Sequence, residues 1–154
     1  DRIGGIWPLM AAAESSRDDI RKFEEIGTHP AANFLAIAEA LTFHLELGAA
    51  RKQARLLHLR DWWAKRLLQQ QRVRLHTSLE PGVASGLGCV EIVGLAPADI
   101  TARLWNEHRI LVTPIELKNG ETREVEFQGI RVSPSVYTTL EELDRFCTAM
   151  ERMA

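Results

Sequence analysis

Two short stretches carry the residues best suited to chemistry. In Gly27-Thr28-His29-Pro30, Thr28 is a good helix N-cap and Pro30 fits the first helical turn. A helix opened this way directs unpaired backbone N–H groups, with the Thr28 hydroxyl beside them, toward one point, which suits a phosphate or another anion. Plain capping uses the same residues, and the local pattern does not separate the two readings. The second stretch is Gly129-Ile130-Arg131-Val132-Ser133, which reads as a strand carrying Arg131. A guanidinium offers two parallel N–H groups that match a carboxylate bidentately. A cross-strand or surface ion pair is the ordinary alternative for such an arginine.

Other reactive residue types are placed less suggestively. Cys89 falls in a strand pattern and Cys147 on the apolar face of a helix, so both read as small core residues rather than nucleophiles. They have no CxxC spacing, which argues against a zinc site or a disulfide scaffold and fits a reducing compartment. His44 and His58 sit on predicted helices without a second ligand at i+4, so no metal site is expected. The glycines between Glu80 and Gly86 do not follow a strand in the manner of a phosphate loop. Between Arg51 and Arg74 there are eight Lys or Arg against one acid, Asp61. With an overall formal charge of −2, this reads as a solvated helix face rather than a nucleic-acid surface. No apolar run reaches membrane-spanning length.

The elements that must hold these residues follow from pattern. Residues 30–47 are apolar on nearly every side, which predicts a buried helix stopped by Gly48. Residues 49–71 predict a second helix, with Leu56, Leu59, Trp63 and Leu67 at helical spacing. Strands are expected at 73–77, 89–93, 110–113 and 129–133, a helix at 97–108, and a last helix opened by the capping box Thr139-Leu140-Glu141-Glu142. Ile3 to Met10 could carry a short strand. Lys118-Asn119-Gly120-Glu121 is a type I′ hairpin signal, whose arms, 114–118 and 121–127, should form an exposed ribbon. An α+β fold is the economical outcome: an antiparallel-rich sheet with helices against one face. The chain's 154 residues suffice for a real core.

Asp19-Ile20-Arg21-Lys22-Phe23-Glu24-Glu25-Ile26-Gly27-Thr28-His29-Pro30-Ala31-Ala32 resembles the Gly-Thr segment of class V aminotransferases, pyridoxal-phosphate (PLP) enzymes of fold type I. The likeness is to the isopenicillin N epimerase-like branch, and it resumes at Gly129-Ile130-Arg131-Val132-Ser133-Pro134-Ser135-Val136-Tyr137-Thr138-Thr139. It implies that Gly27 and Thr28 serve the PLP phosphate of a neighbouring subunit, hence a homo-oligomer. It implies that Arg131 grips the carboxylate of an amino-acid substrate.

The resemblance also implies that residues 1–48 are the trailing segment of the large PLP-binding domain, ending in its last helix, and that residues 49–154 are the small C-terminal domain. In the family the Schiff-base lysine precedes the segment similar to Ile3-Gly4-Gly5-Ile6-Trp7-Pro8-Leu9. Lys22, Lys52, Lys65 and Lys118 lie in polar surroundings without that lysine's context. The chain starts at Asp1 rather than Met, so the expectation is a fragment, catalytically incomplete alone, that does not bind PLP covalently. No cysteine lies in 114–128, where the family's desulfurases carry their nucleophile, so transamination, epimerisation or lyase chemistry is expected of the complete enzyme, in the cytoplasm. The other reading is a free-standing, non-catalytic interaction module derived from the small domain.

Overall fold

A computed structural model of the chain describes residues 2–8, 17–24 and 30–154. Contacts divide it into two compact units, 1–46 and 47–154.

In the first unit, Ile3–Gly5 and Ile20–Phe23 are 3-10 turns, so the short strand expected near Ile3 is not formed there. At Gly4 a Cβ would collide with the Asp18 carboxylate, so glycine lets the two turns approach. Lys22, placed by the sequence in polar surroundings, is buried, and its ammonium donates to the carbonyls of Ile3 and Arg17. Helix α1 (Ala31–Leu47) forms as the apolar run predicts, but none of its residues is buried. Phe34, Leu35, Ile37, Leu41, Phe43 and Leu45 are 49–74% exposed. The Thr28 N-cap lies outside the described residues.

The second unit holds a closed core. Helix α2 (Ala49–Leu67) begins after Gly48, whose φ of 80° is a conformation glycine adopts without strain. The helix ends four residues before the expected Gln71. Strands β1 (Val73–Leu75) and β2 (Gly88–Ile92), helix α3 (Pro97–His108), strands β3 (Thr113–Lys118) and β4 (Val125–Val132), and helix α4 (Leu140–Glu151) follow. The sheet is antiparallel throughout, in the order β1-β2-β4-β3. Val73, Val90, Ile92, Ile130 and Val132 turn one face of it onto Leu59, Trp63 and Leu67 of α2, Ile100 and Leu104 of α3, and Leu143, Phe146 and Cys147 of α4. All three helices of this unit therefore cover the same face.

Close packing is visible at Gly88. A Cβ there would stand 2.5 Å from the Trp63 ring, so only glycine lets the strand lie against that indole. Trp63 meets Phe146 edge-on at 6.0 Å. The Thr139–Glu142 capping box opens α4 as expected.

Two strand expectations need correction. Residues 110–112 do not join the sheet, and β3 starts at Thr113. Their would-be partner β4 ends at Val132, just before Ser133 and Pro134, and a proline has no N–H with which to extend a ladder. Ile110 and Val112 instead pack against the core from an unpaired stretch. The ribbon arms and the arginine strand are also not separate elements: β4 runs unbroken from Val125 through Arg131.

The connecting turn is not type I′ either, because that turn needs positive φ at both central residues. Among the described residues of the loop only Arg123 has it, at 63°. Asn119 uses its side chain instead: Oδ1 accepts the Glu121 and Thr122 N–H groups at 2.9 and 3.0 Å, and the loop closes through Asn119 N–H to the Glu124 carbonyl at 2.8 Å.

Candidate functional site

Arg131 stands on an interior strand. Its register partners are Cys89 on β2 and Thr113 on β3, so the three side chains form a row across the sheet on the face away from the helices. Alternation sends Ile130 and Val132 into the core and leaves Arg131 exposed. Its Nη2 donates to Thr113 Oγ1 at 3.3 Å. Among the described residues no carboxylate pairs with it, so the ion-pair alternative for this arginine is not realised there. What remains is a planar cation on a strand held by a ladder on both sides, its side chain exposed.

The row continues at Gly129, opposite Ile115. A Cβ on Gly129 would lie 2.8 Å from Cys89 Sγ and 2.8 Å from the Val90 carbonyl oxygen, so the absent side chain gives the thiol its place. Beyond it, His76 Nε2 lies 3.0 Å from Glu91 Oε2, Gln128 Nε2 donates to Glu91 Oε1 at 3.1 Å, and the His76 ring meets Phe127 edge-on at 4.6 Å. Burial acts to raise the Glu91 pKa, but the hydrogen bonds from Gln128 and His76 outweigh it and hold the carboxyl below its usual range. That charge and burial do the opposite to Cys89: burial first, then Glu91, push the thiol up. Cys147, deep under α4, is pushed up to about 12, mainly by burial. Neither thiol has the depressed pKa of a nucleophile.

The other basic residues are largely spent inside the fold. Arg60, only 2% exposed, binds Asp61 and the carbonyls of Ala84 and Ser85. Arg66 joins α2 to α4 through a bidentate pair with Glu151 at 2.7 and 2.8 Å, plus Asp144 and Thr148. Lys65 pairs with Asp61, Arg55 donates to the Thr138 carbonyl and Arg72 to that of Val93. The basic stretch thus knits the second unit together. Lys118 pairs with Glu116 on the same strand.

Of the residues singled out in the sequence, Arg131 stands where a ligand can reach it, whereas Gly27, Thr28 and His29 lie outside the described residues. Thr113 and Gly129 were not singled out as site residues. Strand alternation could have put Cys89 and Glu91 on one face, but nothing local reveals that Thr113 pairs with Arg131.

The sequence matches the model of the aminotransferase class-V family over residues 8–146. The chain belongs to this family. It is 31% identical over 140 residues to the isopenicillin N epimerase of Streptomyces clavuligerus, a match covering 90% of this chain and 33% of that protein. Its fold is similar to that of a cysteine desulfurase from Thermococcus onnurineus NA1, with a TM-score of 0.68, 21% identity, and coverage of 86% of this chain and 33% of that one. It is also similar to a C-DES mutant with glycine covalently linked to its PLP cofactor, with a TM-score of 0.64, 19% identity, and coverage of 84% and 31%. The shared architecture is that of fold-type I PLP enzymes, and the chain spans about a third of the length of these relatives.

Proposed function

We propose that this chain is the C-terminal part of a PLP-dependent enzyme acting on an amino acid, and that Arg131 is the anchor for the substrate carboxylate. The observation that carries the reading is the Arg131 fork, held on an interior strand, exposed, and unmatched by a carboxylate among the described residues of a class-V chain. Residues 1–48 are then the trailing segment of the large domain and 49–154 the small domain.

When bound, PLP withdraws electrons from the substrate's Cα. The chain's own residues suit only part of such a site. Arg131 would take the carboxylate bidentately and so fix which way Cα faces. Gly27 and Thr28 would take the cofactor phosphate, from a second copy of the chain; the support is their pattern before a helix and their likeness to the family's segment. Buried Lys22 is occupied by two carbonyls, and Lys65 and Lys118 by carboxylates, so they do not fit a Schiff-base role. Lys52, in the first turn of α2, lacks the family lysine's context.

A homo-oligomer is part of the proposal, because Leu35, Ile37, Leu41 and Leu45 of α1 are each more than half exposed. Sedimentation of the 154-residue chain as a clean monomer at high micromolar concentration would count against it. Two free, buried cysteines fit the reducing cytoplasm, which fractionation of the full-length product would check.

The decisive comparison uses the complete enzyme. Arg131→Lys keeps the charge but loses the planar fork, and should weaken amino-acid binding by about 1.5–3 kcal/mol while leaving PLP affinity nearly unchanged. Thr28→Ala should do the reverse. Unchanged substrate affinity in Arg131→Lys, or an equal loss of PLP affinity in both variants, overturns the assignment.

A further inference from the structure

On the helix-bearing side of the sheet, across β4 from Arg131, a pocket of about 370 Å³ lies between residues 108–112, the end of β4 and helix α4. That volume is at the lower end of the range in which small-molecule sites fall, about 300–1,000 Å³. The floor is apolar: Val132, Leu143 and Phe146 are nearly fully buried, with Ile110 and Val112 beside them. Ser133 and Thr138 bring hydroxyls to the wall. Arg109 and Arg145 bring the positive charge.

These two arginines differ from those that knit the fold. Among the described residues neither meets a carboxylate: Arg145 Nη2 reaches only the His108 carbonyl, at 3.5 Å, and the Arg109 guanidinium lies over the Trp105 ring at 5.6 Å. Arg109 also occupies the position after α3 with φ 57° and ψ 36°, left-handed backbone in which glycine is the unstrained choice. The conformation ends α3, with the Arg109 N–H on the Trp105 carbonyl and the Ile110 N–H on the Leu104 carbonyl.

Glu142 is the acid in the lining, and its Oε2 already accepts the Thr139 N–H at 2.8 Å in the capping box. His108 completes the polar rim; its Nε2 lies 3.9 Å from Glu107. The pocket therefore sets two guanidinium groups, without acidic partners among the described residues, beside an apolar floor.

We infer that this pocket binds a small organic carboxylate, its carboxyl group between Arg109 and Arg145 and its apolar body on Val132, Leu143 and Phe146. The inference is independent of the role proposed for Arg131, because Val132 and Arg131 are adjacent on β4 and point to opposite faces. The apolar floor favours an organic acid over inorganic phosphate, and the planar forks favour a carboxylate over its neutral amide.

Titration of the ¹⁵N-labelled 154-residue chain with benzoate, benzamide or inorganic phosphate tests this by amide chemical shifts. Benzoate should give saturable shifts at residues 108–112, 132–134 and 142–146. Benzamide should bind about tenfold more weakly, the loss expected for a charge-assisted pair, and phosphate should not reproduce the pattern. Arg109→Gln and Arg145→Gln should each weaken benzoate by about as much, with the rest of the spectrum unchanged as proof of folding, and Arg123→Gln, on the loop between β3 and β4, should leave it unaltered. Equal binding of benzamide, the same shifts with phosphate, benzoate shifts at Arg131 with none at residues 108–112 and 142–146, no saturable shift at all, or undiminished binding in the Arg109→Gln/Arg145→Gln double variant would each overturn the inference.

Discussion

The Arg131 guanidinium donates to the Thr113 hydroxyl, 3.3 Å away on the neighbouring strand, and so one of its N–H groups is oriented by the ladder itself. The side chain remains long and rotamer-rich, and a single neutral hydrogen-bond partner restricts it without neutralising it. This lets an arginine be positioned and still be available to a carboxylate.

Removing that hydroxyl should loosen the fork. In the complete enzyme, Thr113→Val is expected to raise the Michaelis constant for the amino acid about two- to fivefold, the order of one modest hydrogen bond, with little change in kcat. Thr113→Ser keeps the oxygen and should recover most of the loss. An equal effect of Val and Ser, or a Thr113→Val effect that persists in an Arg131→Ala background, would show that Thr113 acts in some other way.

Much of the second unit was legible where the signal is local. Pro97 at the first helical turn marked the start of α3, and Thr139 with Glu142 marked the start of α4. Leu59, Trp63 and Leu67 repeat at helical spacing, and all are fully buried. The Asn119-Gly120 pair misled because a side-chain oxygen supplies the turn in place of positive backbone angles, lengthening the loop. The surroundings of Arg131 were illegible for a different reason. Cys89 and Thr113 come from distant parts of the chain and meet it only through strand register, which no local pattern encodes. Helix α1 reads as buried because it is apolar on nearly every side, but none of its residues is buried, and residues 59–153 supply the core on their own.

The Arg66–Glu151 pair makes stability depend on pH. Hydrogen bonds from Arg66 hold the Glu151 carboxyl below its usual range despite partial burial. A carboxyl lowered in the folded state contributes stability that is full above its unfolded value of about 4.3 and is lost as pH falls through the folded value. Because the Arg66 side chain is 35% exposed, solvent screening limits the contribution to about 1 kcal/mol. Glu151→Gln should therefore lower the melting temperature by about 2–4 °C at pH 7, with the gap to wild type closing toward pH 3. Asp61 and Glu91 are also lowered, so wild type will lose stability in acid in any case; the difference between the two proteins is the readout. A gap that stays constant down to pH 3 would exclude the pair as its source.

The two thiols should be inert in the folded chain. Burial pushes the Cys147 thiol up to about 12 and raises Cys89 as well, which disfavours both thiolates at pH 8, and Cys89 is only 8% exposed. Labelling with a disulfide reagent at pH 8 should be about a hundredfold or more slower than in denaturant, where both should react. Fast native labelling at Cys89 would mean that the sheet face around Arg131 opens, or that the thiol is activated.

Gly129 offers the sharpest test of the packed row. An added Cβ would sit 2.8 Å from Cys89 Sγ and 2.8 Å from the Val90 carbonyl oxygen. The thiol can rotate away, but the Val90 oxygen belongs to the central β2 backbone, so β2 and β4 would have to part. Overpacking of this kind typically costs about 1–3 kcal/mol, and Gly129→Ala should lower the denaturation midpoint accordingly. Cys89→Ala should restore only a part, because it removes the sulfur clash and leaves the carbonyl. Since Arg131 is two residues along the same strand, the carboxylate affinity of the complete Gly129→Ala enzyme should fall as well. Full rescue of stability by Cys89→Ala would show that the backbone contact is relieved without moving the strands; an unchanged midpoint in Gly129→Ala would mean that the strands are not packed this closely.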